Sequence, residues 1–500
     1  MLELEGNTEE VIDNPEWIQL TLDSEGKIIE GTKRNGKKVF FGGVEGINDE
    51  SQERRKLILD ADFGGDIDDL GALAVACWAE REGLINLLGI NISNLVIGKK
   101  NNTYYDNVKS ISSICNYFGM NNIPIGADFH LGYRASDYCY STGQFQNYIE
   151  SLEYAYDSVE FYRKILASLP EGQKIDVAIT GYTTAFYRFL ISQADDISSK
   201  TGLELAEKIE VLWIVGGSFP DGAVDTNLSG GGKYYTDASQ YVLSNFPNKI
   251  VFYGLDSISG RGGLILYNEE RTWSILYKGM DEYMTTIYNA DPAAYDNNIA
   301  NCWKAHASIA DQRLMLVAVE DNLALSGYNA TRGTCSMVTD PESPDFMKNK
   351  WVNDPNGKHY YIKAQPIRSA EWYSQRVDEI MKDEQWGHNF YKGERLPLVQ
   401  GTIHTSEYDI VIPATEGGSM PFTVKAKHIY EMSVAQNHTL SGDIHIFSDP
   451  MGWLTASKKL ELTNNNKMGY FYSEKDNSSI YYLKYNTVDE TVHVKETWVE

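Results

Sequence analysis

Five hundred residues, 42% of them hydrophobic and 12% aromatic, are enough for a large packed core and for two or three domains. A formal net charge of -26 repels phosphate backbones and attracts cations, so nucleic acid and anionic lipid are excluded as expected partners and a small neutral ligand is favoured. No apolar run approaches the roughly eighteen residues of a membrane span, and the start at Met1-Leu2-Glu3-Leu4-Glu5 has neither a basic nor an apolar leader region; neither a spanning helix nor a leader is expected.

Cys77, Cys115, Cys139, Cys302 and Cys335 are widely spaced without a CxxC pair, and read as buried thiols rather than disulfides or zinc ligands. The compartment stays open, because free thiols suit the cytoplasm whereas an appended β domain suits the cell envelope or secretion.

In chain order, residues 1–52 read as an N-terminal extension with short apolar pieces such as Trp17-Ile18-Gln19-Leu20 and Val39-Phe40-Phe41. Residues 53–390 read as an α/β domain, in which short apolar runs alternate with helical periodicity. The expected strands are Leu57–Leu59, Leu87–Ile90, Ile123–Ile125, Ile175–Ile179, Val211–Val215 and Ile250–Tyr253. Between them, Leu70–Glu80, Tyr105–Phe118, Val159–Leu166, Thr184–Ile191 and Ala238–Phe246 are expected helices, with Trp372–Met381 a further one. This is the pattern of a doubly wound, mainly parallel sheet, whose ligands gather at the carboxyl ends of the strands. From residue 396 to 500 the texture becomes β-rich, with Tyr408–Ile412, Phe422–Ala426, Gly442–Phe447 and Ile480–Tyr485 as expected strands of a β-sandwich-like module.

The segment Leu59-Asp60-Ala61-Asp62-Phe63-Gly64-Gly65-Asp66-Ile67-Asp68-Asp69-Leu70 carries the chemistry: five aspartates in ten residues, where a buried strand gives way to a helix. Like charges about 4 Å apart repel by roughly 4 kcal/mol at an effective dielectric near 20. Converging carboxylates are therefore stable only when protonated, well solvated or holding a cation, and an oxygen-only ligand set selects Ca²⁺ or Mg²⁺. Asp68 and Asp69 fall in the first helical turn, where the helix dipole favours negative charge. A solvated acidic loop is the plain alternative.

The same segment resembles the aspartate motif of the inosine-uridine preferring nucleoside hydrolase family, in a long form with two extra residues before the final Asp-Asp pair. The resemblance continues in order through Leu88-Gly89-Ile90-Asn91-Ile92-Ser93-Asn94, Ile123-Pro124-Ile125-Gly126, Ala178-Ile179-Thr180-Gly181, Ile214-Val215-Gly216-Gly217 and Ala310-Asp311-Gln312, over roughly residues 55–385. It implies that Ca²⁺ is held by Asp62, Asp69 and Asp311 and by the main-chain carbonyl of Thr180. It implies also that Asp62 is the general base, activating a Ca-bound water for hydrolysis of the N-glycosidic bond of a ribonucleoside or related ribosyl compound. Asp68 and Asn94 would then contact the ribose hydroxyls, while Asp60 braces the loop. The implied partner is a small nucleoside or glycoside, and a homo-oligomer is compatible with the sequence.

Two departures from the family pattern stand out. Where relatives place an asparagine on the sugar, this chain has Gly231-Gly232-Lys233, so Lys233 and the neighbouring Asn227 become the candidate substrate contacts, beside Tyr182 and Tyr234. Ahead of the last metal aspartate stands Ala310, which removes a leaving-group acid from that position. A catalytically inactive sugar- or nucleoside-binding protein therefore remains a rival. A haloacid dehalogenase-like phosphatase, with Asp60 as nucleophile and Mg²⁺ as cofactor, is a second.

Overall fold

A computed structural model describes residues 20–22, 28–32, 38–40, 54–63, 68–93, 95–98, short pieces between 108 and 136, 155–230, 232–255, 310–320, 327–364, 377 and most of 403–499. Of the expected elements, the helix over Tyr105–Phe118 lies partly outside the described residues, and that over Trp372–Met381 almost wholly so. In the first stretch, β1 (Leu20–Leu22), β2 (Ile28–Thr32) and β3 (Lys38–Phe40) form an antiparallel sheet in that order.

The chain then builds one large sheet. Its elements are β4 (Arg55–Ala61), α1 (Asp68–Arg81) and β5 (Ile85–Ile92), then β7 (Ile125–Ala127), β9 (Ala155–Asp157) and α2 (Ser158–Ser168). β6 (Leu95–Gly98) and β8 (Tyr133–Ser136) pair with each other outside it. Next come β10 (Ile175–Ile179), α3 (Thr184–Leu190), α4 (Gly202–Ala206) and β11 (Ile209–Val215). They are followed by α5 (Thr226–Ser229), α6 (Lys233–Asn245), β12 (Lys249–Tyr253) and α7 (Ala310–Glu320). β13 (Tyr328–Met337), β14 (Asn349–Asn353) and β15 (His359–Ala364) complete it.

The ten strands lie in the order β14-β13-β15-β12-β11-β10-β4-β5-β7-β9. From β9 to β15 every neighbouring pair is parallel, and β13 and β14 are added antiparallel at one edge. Starting at β4, the chain moves outward through β5, β7 and β9, then returns to the other side of β4 with β10 and moves outward again. The direction of winding thus reverses between β4 and β10, the place where such sheets present a crevice.

The sheet is buried on both faces, so its inner strands are largely apolar: all five residues of β10 are buried, and its one charged residue, Asp176, is paired with Arg55 at 3.0 Å. Leu57, Leu59 and Ala61 of β4 pack with α1 and α7, whereas Ile58 packs on the opposite face with α2, α3, α4 and α6. That alternation sends Asp60 to the α2 face. No described helix is long and apolar enough to cross a membrane.

Residues 403–499 form two further four-stranded sheets. One runs β16 (Ile403–Ile412), β23 (Glu490–Val499), β18 (His428–Ser433), β21 (Met468–Ser473). The other runs β17 (Ser419–Val424), β22 (Asn477–Lys484), β19 (Asp443–Phe447), β20 (Lys458–Leu462). Tyr430, Met432, Val492 and Val494 from the first share one core with Val424, Ile444 and Leu462 from the second, which is the packing of a sandwich.

Candidate functional site

At the winding reversal, two helix starts meet. Asp68 and Asp69 open α1, and Asp311 is the second residue of α7; one oxygen from each carboxylate lies within 4.8 Å of the others. Asp69 and Asp311 are buried, at 1% and 4% exposure. A close approach of the helices permits this. A Cβ on Gly71 would stand 2.1 Å from Nε2 of Gln312, so only glycine lets the side chain after Asp311 lie against the turn after Asp69.

Strand ends supply the floor. Thr180, just past β10, donates its main-chain N–H to the Asp60 carbonyl at 2.8 Å and its hydroxyl to Asp69 Oδ1 at 3.1 Å. Asp62 follows β4 and is 9% exposed. Its Oδ1 lies 2.8 Å from the position a Cβ on Gly181 would take, so β10 turns tightly beneath it. Asp62 is not among the three carboxylates that converge within 4.8 Å.

Beneath Asp62, Asp60 is fully buried and accepts hydrogen bonds at Oδ2 from the Tyr162 hydroxyl and from Asn91 Nδ2, the latter at 3.0 Å. Ser158 holds Asn91 in turn, donating to its Oδ1 at 2.7 Å. Burial pushes the Asp60 carboxyl up to about 8, against the opposing pull of those hydrogen bonds. To the side, Arg188 of α3 bridges Asp128 at 2.7 Å and Asp157 at 3.4 Å. The sequence reading missed Tyr162, Asp128 and Arg188. The signal available for Arg188 was a lone charge inside the apolar helix Thr-Ala-Phe-Tyr-Arg-Phe-Leu.

The remaining candidates divide. Asn227 donates its amide to two main-chain carbonyls, Thr180 at 2.7 Å and Val215 at 3.2 Å. Lys233 begins α6 with its side chain 55% exposed and its amine held by Asp237, one helical turn on, at 2.8 Å. Asn94 and Asp66 lie outside the described residues. Tyr182 packs on Tyr235 with ring centroids 5.1 Å apart, and Tyr234 lies between His130 at 6.2 Å and Tyr187 at 6.3 Å, making an aromatic cluster of α3, α6 and the turns after β7 and β10. The structure thus brings together Asp68, Asp69 and Asp311, and it joins Asn227 to Asp69 through Thr180.

The fold and this cluster define a doubly wound α/β protein with an all-oxygen acidic site at its winding reversal. No protein-family model matches the chain, and no curated protein does. Among solved structures, the effector protein XOO4466 is similar over 66% of this chain and 94% of its own, at 12% identity and a TM-score of 0.45. The type III effector XopQ, complexed with adenosine diphosphate ribose, is similar over 66% and 93%, at 11% identity and a TM-score of 0.44. An inosine-guanosine nucleoside hydrolase is similar over 66% and 99%, at 12% identity and a TM-score of 0.43. Identity this low carries no residue role across.

Proposed function

We propose that the chain hydrolyses the N-glycosidic bond of a ribonucleoside or related ribosyl compound with the help of Ca²⁺. One observation carries the reading: Asp68, Asp69 and Asp311, from helices far apart in sequence, converge within 4.8 Å at the reversal of the sheet. At that separation each ionised pair repels by about 3 kcal/mol at an effective dielectric near 20, and a hard divalent cation relieves all three repulsions together. The converging carboxylates therefore fit Ca²⁺; Asp69 and Asp311 from this cluster are its proposed holders, and the resemblance adds Asp62 and the Thr180 carbonyl. When bound, the cation supplies positive charge that makes a water more acidic and steadies vicinal hydroxyls.

The chain's own groups do the rest. Asp62, nearly buried at the end of β4, takes the proton from the attacking water. Asp68, the more exposed of the helix-start pair, accepts hydrogen bonds from ribose hydroxyls together with Asn94. The Asp60–Tyr162–Asn91–Ser158 network fixes the strand end on which Asp62 stands. Ligand binding without turnover is the second reading, favoured by Ala310, whose methyl group stands where a leaving-group acid is expected.

The test is reducing-sugar release from a panel of purine and pyrimidine nucleosides, in Ca²⁺ and in chelator, for the native chain and Asp62→Ala. Chelator-sensitive release that disappears in the variant is the expected result. No release from any nucleoside, with Ca²⁺ still bound, would transfer the assignment to a binding protein.

A further inference from the structure

We propose that Asn227 is a positioning residue that aims the Thr180 carbonyl, rather than a group that touches substrate; the proposal rests on the cation reading above. The parallel ladder of β10 and β11 ends with Ile179 opposite Ile214, so Thr180 and Val215 are the first residues beyond it. Carbonyls just past a ladder lose their cross-strand donors and must find others. A single amide nitrogen meets both, at 2.7 Å to Thr180 and 3.2 Å to Val215. An asparagine amide carries two donor hydrogens, and here each has a main-chain carbonyl. Neither is left to donate to a sugar hydroxyl, whereas the Thr180 carbonyl keeps a second lone pair.

The turn that carries Asn227 is fastened from several sides. Asp225 caps α5 by accepting the Leu228 N–H at 3.1 Å, and the Ser229 hydroxyl donates to the Asp225 carbonyl at 2.5 Å. Ser239 of α6 donates to the Leu228 carbonyl at 2.5 Å and lies 2.7 Å from the Thr183 hydroxyl, just past the Thr180 strand end. Gly230 ends the turn at a φ of 52°, a left-handed conformation that glycine adopts freely. Asn227 thus sits on a turn fastened both to α6 and to the residues that follow β10. Its effect passes to the acidic cluster through one residue, because Thr180 also donates to Asp69.

Partners of metal-holding groups commonly contribute 10- to 100-fold to metal affinity. The experiment is terbium luminescence on the full chain, with Ca²⁺ competition for affinity and emission lifetimes in light and heavy water to count coordinated waters. Wild type and Asn227→Leu are compared, since leucine keeps the branched shape and removes both donors. Expected is a dissociation constant raised 10- to 100-fold and one additional coordinated water, as the Thr180 carbonyl drops out of the ligand set. Wild-type affinity and an unchanged water count in the variant would overturn the positioning role. Failure of the wild-type chain to bind terbium would instead overturn the cation reading on which the role depends. Should the leucine variant lose its circular-dichroism spectrum, Asn227→Ser, which keeps one donor, is read in the same way: a raised constant supports the proposal and an unchanged one overturns it.

Discussion

Replacing Gly71 with alanine tests how the acidic cluster is assembled. The added methyl would stand 2.1 Å from Gln312 Nε2 and 2.6 Å from both Cδ and Cγ, against a comfortable separation well over 1 Å longer. Gln312 is completely buried and the clash reaches back to its Cγ, so a change of its far end alone does not relieve it and α1 and α7 are expected to part. Overpacking of this kind costs about 1–3 kcal/mol, offset by up to about 1 kcal/mol because alanine is the better helix former. The net loss expected in chelator thus lies between about 0 and 3 kcal/mol. Asp69 and Asp311 would separate with the helices, so stabilisation by Ca²⁺ should shrink as well. Gln312→Ala removes the obstacle, along with two buried amide atoms that have no hydrogen-bond partner among the described residues. In the double variant the new methyl occupies part of the vacated space, and stability should return close to that of wild type. Urea denaturation of the four proteins, in chelator and in Ca²⁺, gives the coupling, expected at about 1–3 kcal/mol for residues in contact. Simple additivity, with the double variant weaker than either single one, would refute the reasoning.

Three further outcomes are expected. Asp311→Asn removes one charge from a group within 4.8 Å, so in chelator it should melt at a higher temperature than wild type, while losing the upward shift that Ca²⁺ gives wild type; calorimetry with and without the ion decides. Arg188→Leu strands the fully buried Asp128, at a cost of about 3–5 kcal/mol, and Asp128→Asn in the same chain should recover part of it, read from thermal unfolding. His359 is buried with a ring nitrogen accepting the Cys335 N–H at 2.8 Å, and burial lowers its pKa to about 4, from 6.5 when exposed. The folded state stays neutral where the unfolded chain takes up a proton. Its contribution of about 3 kcal/mol is therefore complete above pH 6.5 and disappears as the pH falls toward 4. Stability measured against pH should show that slope, and His359→Gln should flatten it.

The central strands were legible because burial on both faces leaves them mostly apolar: the run Ile175–Ile179, apolar but for Asp176, is β10 residue for residue. α6 starts at Lys233, ahead of the apolar spacing that begins at Ala238, because its first turn is made of partly exposed tyrosines packed on other rings. The edge strands β13 and β14 escaped notice. β13 alternates buried Tyr328, Ala330 and Cys335 with exposed polar residues, a period-two signal diluted by Arg332 and Gly333, and β14 is largely exposed. Of the site, Asp68 and Asp69 are visible in a local pattern. Asp311 lies far along the chain, and only an ordered resemblance to other sequences singled it out. The link from Asn227 to Thr180 depends on the path of a one-turn helix, which no periodicity encodes.

The position of β4 at the middle of the sheet also bears on how the protein is made. On the ribosome, β4 and its partners β5, β7 and β9 emerge first, and the flank of β4 that later receives β10 waits through the synthesis of α2. That flank is a parallel edge bearing Leu57, Ile58 and Leu59, all fully buried in the finished molecule. Unpaired edges of this kind recruit other strands. Newly made chains halted before β10 emerges should therefore be sticky and dependent on chaperones, and a pause in translation that comes once residue 179 has left the ribosome should be tolerated better than one that holds residue 175 inside it.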